Sequence, residues 1–327
     1  MFEIRESDGT PTSYAAMADI LLAVAPNNPV SGDDLANEDL SLGASRPGYR
    51  WLTWSGDTAA GFFVGAEETW DRSPGRFRVY AAVDPRWQGR GAGRALWNHG
   101  LSALLDKHEV TELICDTRAD QERGMRFLQD RGFVLKKTTR ESELEVTGYD
   151  LAENLLWRDG LLAQDIKFVP LAELAAADPA WFEKFHSLRM EFQADMMYPP
   201  TPLTLEEHWT EHQANREFDP SMTFVAVRGG EWMAYTALWQ SGADPTLWWT
   251  SLTGVGRAHR RLGLASALKT TAIEAVQQRG GSRIRTDNDA RNPMFKINQA
   301  FGFRLLPDAQ TWRRPLGDEA DVREILQ

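Results

Sequence analysis

The chain predicts an α/β (α+β) fold made of two tandem domains, each a mixed central sheet flanked by helices. Three observations predict it. One pattern occurs twice about 170 residues apart, as Val83-Asp-Pro-Arg-Trp-Gln88-Gly-Arg-Gly91-Ala-Gly93-Arg-Ala-Leu96 and Val255-Gly-Arg-Ala-His-Arg260-Arg-Leu-Gly263-Leu-Ala265-Ser-Ala-Leu268. The elements around each copy read in the same order. A length of 327 residues suits two cores at roughly 100–200 residues per domain.

In the first half, Phe2-Glu-Ile-Arg reads as an edge strand and Tyr14 to Val24 as a helix. Tyr49 to Trp54 and Ala59 to Ala66 read as a hairpin turning at Ser55-Gly-Asp. Phe77 to Val83 is a strand feeding the glycine turn, and Gly93 to Lys107 has helical periodicity. Glu112 to Asp116 is the next strand, and a helix near Gln121 to Asp130 stops at Gly132. The second half repeats this order. Ile166 to Pro170 is the strand, Pro179 to Met196 the helix, and Phe224 to Arg228 with Trp232 to Leu238 the hairpin. Thr246 to Val255 leads into the second turn, Leu264 to Arg279 is the helix and Arg283 to Thr286 the strand. Pro293 to Ala300 is a helix stopping at Gly302. Both copies close with Gly-Phe. The expected division is 1–148, a packed linker at 149–163 that includes the apolar stretch around Trp157, and 164–327.

Composition narrows the function. A formal net charge of −11 argues against nucleic acid as partner, since that binding rests on cations neutralising phosphates. The longest apolar run, Ala15 to Ala25, contains Asp19 and is too short for a bilayer span, so no membrane role is expected. The single cysteine, Cys115, and an N-terminus without signal-peptide character fit a cytoplasmic protein. Cys115 lies in an apolar strand run, which points to packing rather than nucleophilic chemistry.

A strand, closely spaced glycines and a helix start make an anion site, because unpaired helix N–H groups point at the ligand. Neither copy has the Lys-Ser/Thr of a Walker A loop. Rossmann frames starting at Gly89 and Gly91 end in Arg94 and Leu96 and fail. The remaining pattern, Gln/Arg-x-x-Gly-x-Gly/Ala, fits Gln88, Gly91, Gly93 and Arg260, Gly263, Ala265.

This pattern resembles the signature of the GNAT superfamily of acyl-CoA-dependent N-acyltransferases, and the likeness covers nearly the whole chain as two GNAT-like domains. The resemblance implies acetyl-CoA as donor, no metal, and a coenzyme pyrophosphate held by each turn. In the first copy these positions are Gln88, Gly89, Arg90, Gly91, Ala92, Gly93 and Arg94. In the second they are Arg260, Arg261, Leu262, Gly263, Leu264, Ala265 and Ser266. The strands ending at Val83 and Val255 would pair with the pantetheine arm. The second half adds Asn288, Asn292, Met294 and Asn298 ahead of Gly302-Phe303, similar to a coenzyme-side helix in one branch of the superfamily. The first half has Arg118, Glu122, Gly124 and Leu128 there, which favours the second domain for catalysis.

Acyl transfer to an amine needs a neutral amine, a polarised carbonyl and a leaving thiolate. Family members often place a Tyr where this chain has Leu128 or Asn298, to protonate the sulfur; Asn298 is the candidate for a hydrogen bond there. Asp287, Asp195 and Tyr198 are candidates to take the amine proton through water. Trp232, Trp239, Trp248 and Trp249 line an acceptor cleft or fill the core. The acceptor is a small-molecule or peptide amine, and monomer and homodimer both remain open. Two other readings stand beside this one. One is a non-catalytic acyl-CoA sensor or scaffold. The other is a zinc hydrolase built on His208-x-x-Glu211-His212, which sets two imidazoles one helical turn apart beside a carboxylate.

Overall fold

A computed structural model describes residues 2–42, 48–289, 291–317 and 319–326. In chain order the elements of the first repeat are β1 (Glu3–Glu6), α1 (Pro11–Val24), α2 (Gly32–Leu42), β2 (Tyr49–Ser55), β3 (Thr58–Glu67), β4 (Arg76–Val83), α3 (Ala92–Lys107), β5 (Glu112–Arg118) and α4 (Glu122–Gln129). There follow β6 (Val134–Glu145), α5 (Ala152–Leu162), β7 (Lys167–Pro170), α6 (Leu171–Ala177), α7 (Trp181–Ala194), α8 (Leu205–Ala214), β8 (Thr223–Arg228), β9 (Glu231–Gln240) and β10 (Leu247–Val255). The chain ends with α9 (Leu264–Gln278), β11 (Arg283–Asp289), α10 (Pro293–Ala300), β12 (Arg304–Leu305), β13 (Ala309–Pro315) and α11 (Glu319–Ile325).

Local chemistry sets the boundaries of several elements. Thr10 caps α1 ahead of a proline in its first turn, and Thr204 with Glu207 forms a reciprocal capping box on α8. Gly229 and Gly230 take φ 57° and 83° in the two-residue turn joining β8 to β9, as a primed hairpin turn requires.

The chain forms two compact units, residues 1–138 with 307–327, and residues 139–306. This differs from the sequential division expected at 148/149 and 163/164, and strand pairing gives the reason. In the first unit the order is β1-β2-β3-β4-β5-β13, antiparallel except for β4 with β5. The edge of β5 is closed by β13, from Ala309 opposite Arg118 to Pro315 opposite Glu112. In the second unit the order is β7-β8-β9-β10-β11-β6, again with one parallel pair, β10 with β11. There β6 closes the edge of β11, from Glu145 opposite Arg283 to Thr139 opposite Asp289. Each repeat thus supplies the last strand of the other's sheet, covering an edge that would otherwise expose unpaired backbone groups.

The helix after each exchanged strand goes with it. The α5 segment, expected as a linker packed between the domains, lies against α9 in the second unit. Arg158 pairs with Glu274 at 2.7 Å, and the Gln277 amide donates to the Val146 and Tyr149 carbonyls. In the first unit the Trp97 indole N–H donates to the Ile325 carbonyl at 3.0 Å, and Ile325 is fully buried.

Each sheet is covered on both faces. In the first unit Phe77, Val79, Leu96, Trp97 and Leu101 form the core under α3, while Met17, Ile20, Leu35 and Phe62 form the core under α1 and α2. In the second, Trp248, Leu264, Leu268 and Ile273 pack under α9, and Phe182, Phe185, Phe192 and Tyr235 under α7. At about 1.5–3 kcal/mol per large apolar side chain buried, these layers hold each sheet rigid beneath its glycine turn.

Candidate functional site

Both parallel pairs open at the same place. β4 and β5 pair only from Arg76 opposite Glu112 to Arg78 opposite Ile114, although β4 continues to Val83 and β5 to Arg118. β10 and β11 pair only from Leu247 opposite Arg283 to Trp249 opposite Arg285, although they continue to Val255 and Asp289. Beyond those points the facing backbone edges are available to an extended ligand, at the carboxyl ends of parallel strands where α/β sheets bind ligands. A bulge in β10 between Thr250 and Leu252 leaves Ser251 without a partner on β9; the β3–β4 ladder is regular over its whole length. Bulges of this kind re-aim backbone groups beside a site.

The two predicted turns share one backbone design. A short 3-10 turn, Pro85–Trp87 or Arg257–His259, leads into two positive-φ positions, Gly89 (75°) and Gly91 (88°) or Arg261 (66°) and Gly263 (82°). The helix then starts at Ala92 or Leu264. Gln88 Nε2 donates to the Val83 carbonyl at 2.9 Å, and Arg260 Nε to the Val255 carbonyl at 3.3 Å. The first residue of the pattern therefore ties the turn to the end of the strand. Ala92, Gly93 and Leu264 lie in first helical turns, whose N–H groups have no intrahelical acceptor and point outward. That cradle fits a pyrophosphate, with Gly93 admitting close approach over Val83.

The surroundings differ. Nothing lies within 4 Å of where a Cβ on Gly89 or Gly91 would stand. The Trp157 ring of α5 lies against Gly263, so that a Cβ there would meet it at 1.9 Å. At the first turn Arg86 is engaged by Asp84 and the Arg90 guanidinium lies 5.3 Å from the Trp87 ring centre. Arg94 is exposed and has no ion pair among the described residues. At the second turn Arg257 and Arg260 both clasp Asp195, and these hydrogen bonds pull its carboxyl down to about 2. Asp195 is therefore an ionised anchor and a poor proton acceptor near neutral pH, and Arg260 is already partnered.

The Asn-rich helix is partly structural. The Asn292 side chain caps α10 by accepting from the Met294 N–H at 2.9 Å. Asn298 is buried and its amide donates to Asn288 on the open end of β11, leaving its own Oδ1 without a partner. Asp287 is exposed on β11, and Tyr198 is 43% exposed after α7. Trp232 and Trp248 are core residues, whereas Trp239 and Trp249 stack at 5.8 Å with Arg285 over Trp249. Cys115 is buried and burial pushes its thiol up to about 12.

His208 and His212 lie on α8 as expected, but in an aromatic cluster with Phe182, Phe185 and Phe218. The Nδ1 atoms of His208 and His186 are 3.1 Å apart, and among the described residues no three His, Cys, Asp or Glu side chains are grouped to hold a metal. Two neighbours of the turns were not singled out by the sequence pattern: Arg131 after α4, whose charge lies near Arg94, and Trp157 in its place over Gly263.

Two sheets of like order, each with a splayed parallel pair leading to a glycine turn, define a tandem acyltransferase architecture. The chain belongs to the acetyltransferase (GNAT) family, whose model matches residues 16–133 and 183–303. No curated protein matches it in sequence. Among solved structures it is similar to a tandem GNAT protein from the clavulanic acid biosynthesis pathway, at 19% identity and TM-score 0.75, covering 97% of this chain and 99% of that one. It is also similar to a GCN5-related N-acetyltransferase from Sphaerobacter thermophilus, at 18% identity and TM-score 0.67, covering 96% and 95%. No helix among the described residues is long and apolar enough to cross a membrane.

Proposed function

We propose that the chain is an acetyl-CoA-dependent N-acetyltransferase that holds its donor at the first turn and acylates a small-molecule or peptide amine by direct attack. The observation that carries this reading is the open cradle at Gly89 to Gly93 beside the unpaired ends of β4 and β5. The turn N–H groups take the pyrophosphate, and the free strand edges take the amides of the pantetheine arm. The amine nitrogen bonds to the thioester carbonyl carbon, the carbon–sulfur bond breaks, and the thiol leaves with a proton; a thiol pKa of about 8.5 makes it a ready leaving group. For a coenzyme at the second turn, Asn298, whose amide donates to Asn288, would be the candidate partner for the pantetheine or sulfur.

A second reading, coenzyme binding without turnover, is favoured at the second turn by Trp157 against Gly263. Thiol release from acetyl-CoA across a panel of amines separates the two. Release with at least one amine supports transfer. Saturable coenzyme binding with no release across the panel makes the chain a sensor, and absence of binding removes both readings.

A further inference from the structure

Arg131 is a buried cation with no close ion pair among the described residues; only Asp130, its neighbour in sequence, offsets its charge at longer range. It is 6% exposed, its Nε has no hydrogen-bond partner, and no carboxylate pairs with it among the described residues. Its NH1 donates to the Phe127 carbonyl at 3.3 Å, and its guanidinium carbon lies 3.7 Å from the Phe127 ring centre. Phe127 in turn meets Trp97 of α3 edge to face at 5.2 Å. Arg94 lies three residues before Trp97, on the same helical face. This stack sets Arg131 beside the first turns of α3, next to a second unpaired arginine. Burial, and then the Arg94 charge, lower the hold of Arg131 on its proton, against a smaller opposing pull from Asp130.

Two guanidiniums and a helix N-terminus repel one another, and the repulsion is relieved by an anion. The second unit has no such arrangement. Ser266 stands three residues after Gly263 where Arg94 stands three after Gly91, and Phe301 precedes Gly302 where Arg131 precedes Gly132. The same backbone turn therefore forms there without these cations, so its geometry does not require them.

We propose that Arg94 and Arg131 form a second anion seat in the first unit that takes the 3′-phosphate of coenzyme A, while the glycine turn takes its pyrophosphate. This rests on the coenzyme reading above. It makes the first unit selective for 3′-phosphorylated coenzyme, with Arg131 fixed by the Phe127–Trp97 stack and Arg94 reaching from α3.

Titration calorimetry on the full chain with coenzyme A and with 3′-dephospho-coenzyme A tests it. The wild type is expected to prefer coenzyme A by about tenfold or more, and Arg131→Gln and Arg94→Gln each to reduce that preference to within about threefold. Arg131→Lys should keep part of it. Arg94 is exposed, so Arg94→Gln carries the test if loss of the buried guanidinium impairs folding. Equal affinity of the wild type for both ligands overturns the proposal, as does a preference that both Gln variants retain. If neither ligand binds, the coenzyme reading itself fails.

Discussion

The two glycine turns have the same backbone and opposite surroundings. Both alternate positive-φ positions, both tie their first side chain to a strand-end carbonyl, and both open a helix. The first faces open space with Arg94 and Arg131 unpaired, whereas the second has Trp157 on its glycine and Arg257 and Arg260 bound to Asp195. A turn's geometry thus defines what kind of ligand it can hold, while neighbouring side chains decide whether it is available to hold one.

The comparison breaks most easily at the glycines. Gly91→Glu puts a carboxylate into the open cradle and forces a side chain onto a residue at φ 88°, at a backbone cost of about 1–2 kcal/mol. Coenzyme affinity should fall by about 100-fold or more, because an anion then faces an anion. Gly263→Glu should have less than a tenth of that effect on binding but a larger effect on melting temperature, since its Cβ meets the Trp157 ring at 1.9 Å. Calorimetry and thermal melts of both variants read the contrast. Equal losses of affinity would mean that both turns hold coenzyme.

The units also differ in their buried imidazoles. In the second unit burial, with Arg189 next in effect, pushes His208 down to about 3, whereas His99 and His108 in the first are not buried. An unfolded chain takes a proton on this ring below about pH 6.5 and the folded chain does not, so the unfolded state binds more protons. Stability is therefore fully present above pH 6.5 and declines as pH falls, by about 2 kcal/mol at pH 5 from this group alone. Denaturant melts across that range should show the slope in the wild type and a flatter one in His208→Phe. An unchanged slope would assign the acid sensitivity elsewhere.

The repeat was legible because glycine spacing and hydrophobic periodicity are local. The expected hairpins, the strands feeding each turn and the helices after them lie where the pattern set them, within a few residues. The strand exchange was not legible. β6 and β13 follow the last shared landmark, Gly-Phe, and a strand's alternation is the same whichever sheet receives it. Arg131 was equally hidden, since an arginine in a sequence reads as solvent-facing by default. Asp195 was legible as an acid near the cleft, but not its two arginine partners, which come from a turn about sixty residues away. The apolar stretch around Trp157 argues against a free linker, yet only the fold shows that the Trp157 ring sits over Gly263.

Removing that ring is the gentlest way to sharpen the comparison. Trp157 is 45% exposed, so Trp157→Ala gives up only part of a buried indole, and the stability cost should stay within about 1–2 kcal/mol. If the indole is what separates the turns, the variant should bind two coenzymes per chain in place of one. The second site should be about tenfold weaker than the first, because Ser266 and Phe301 replace the two arginines there and Asp195 still holds Arg257 and Arg260. Adding Asp195→Asn should then strengthen the second event by releasing those arginines. If Trp157→Ala still binds a single coenzyme and the double variant binds two, charge rather than cover is the difference between the turns. If neither variant gains a site, the second turn is a relic of the repeat, kept for how α9 begins.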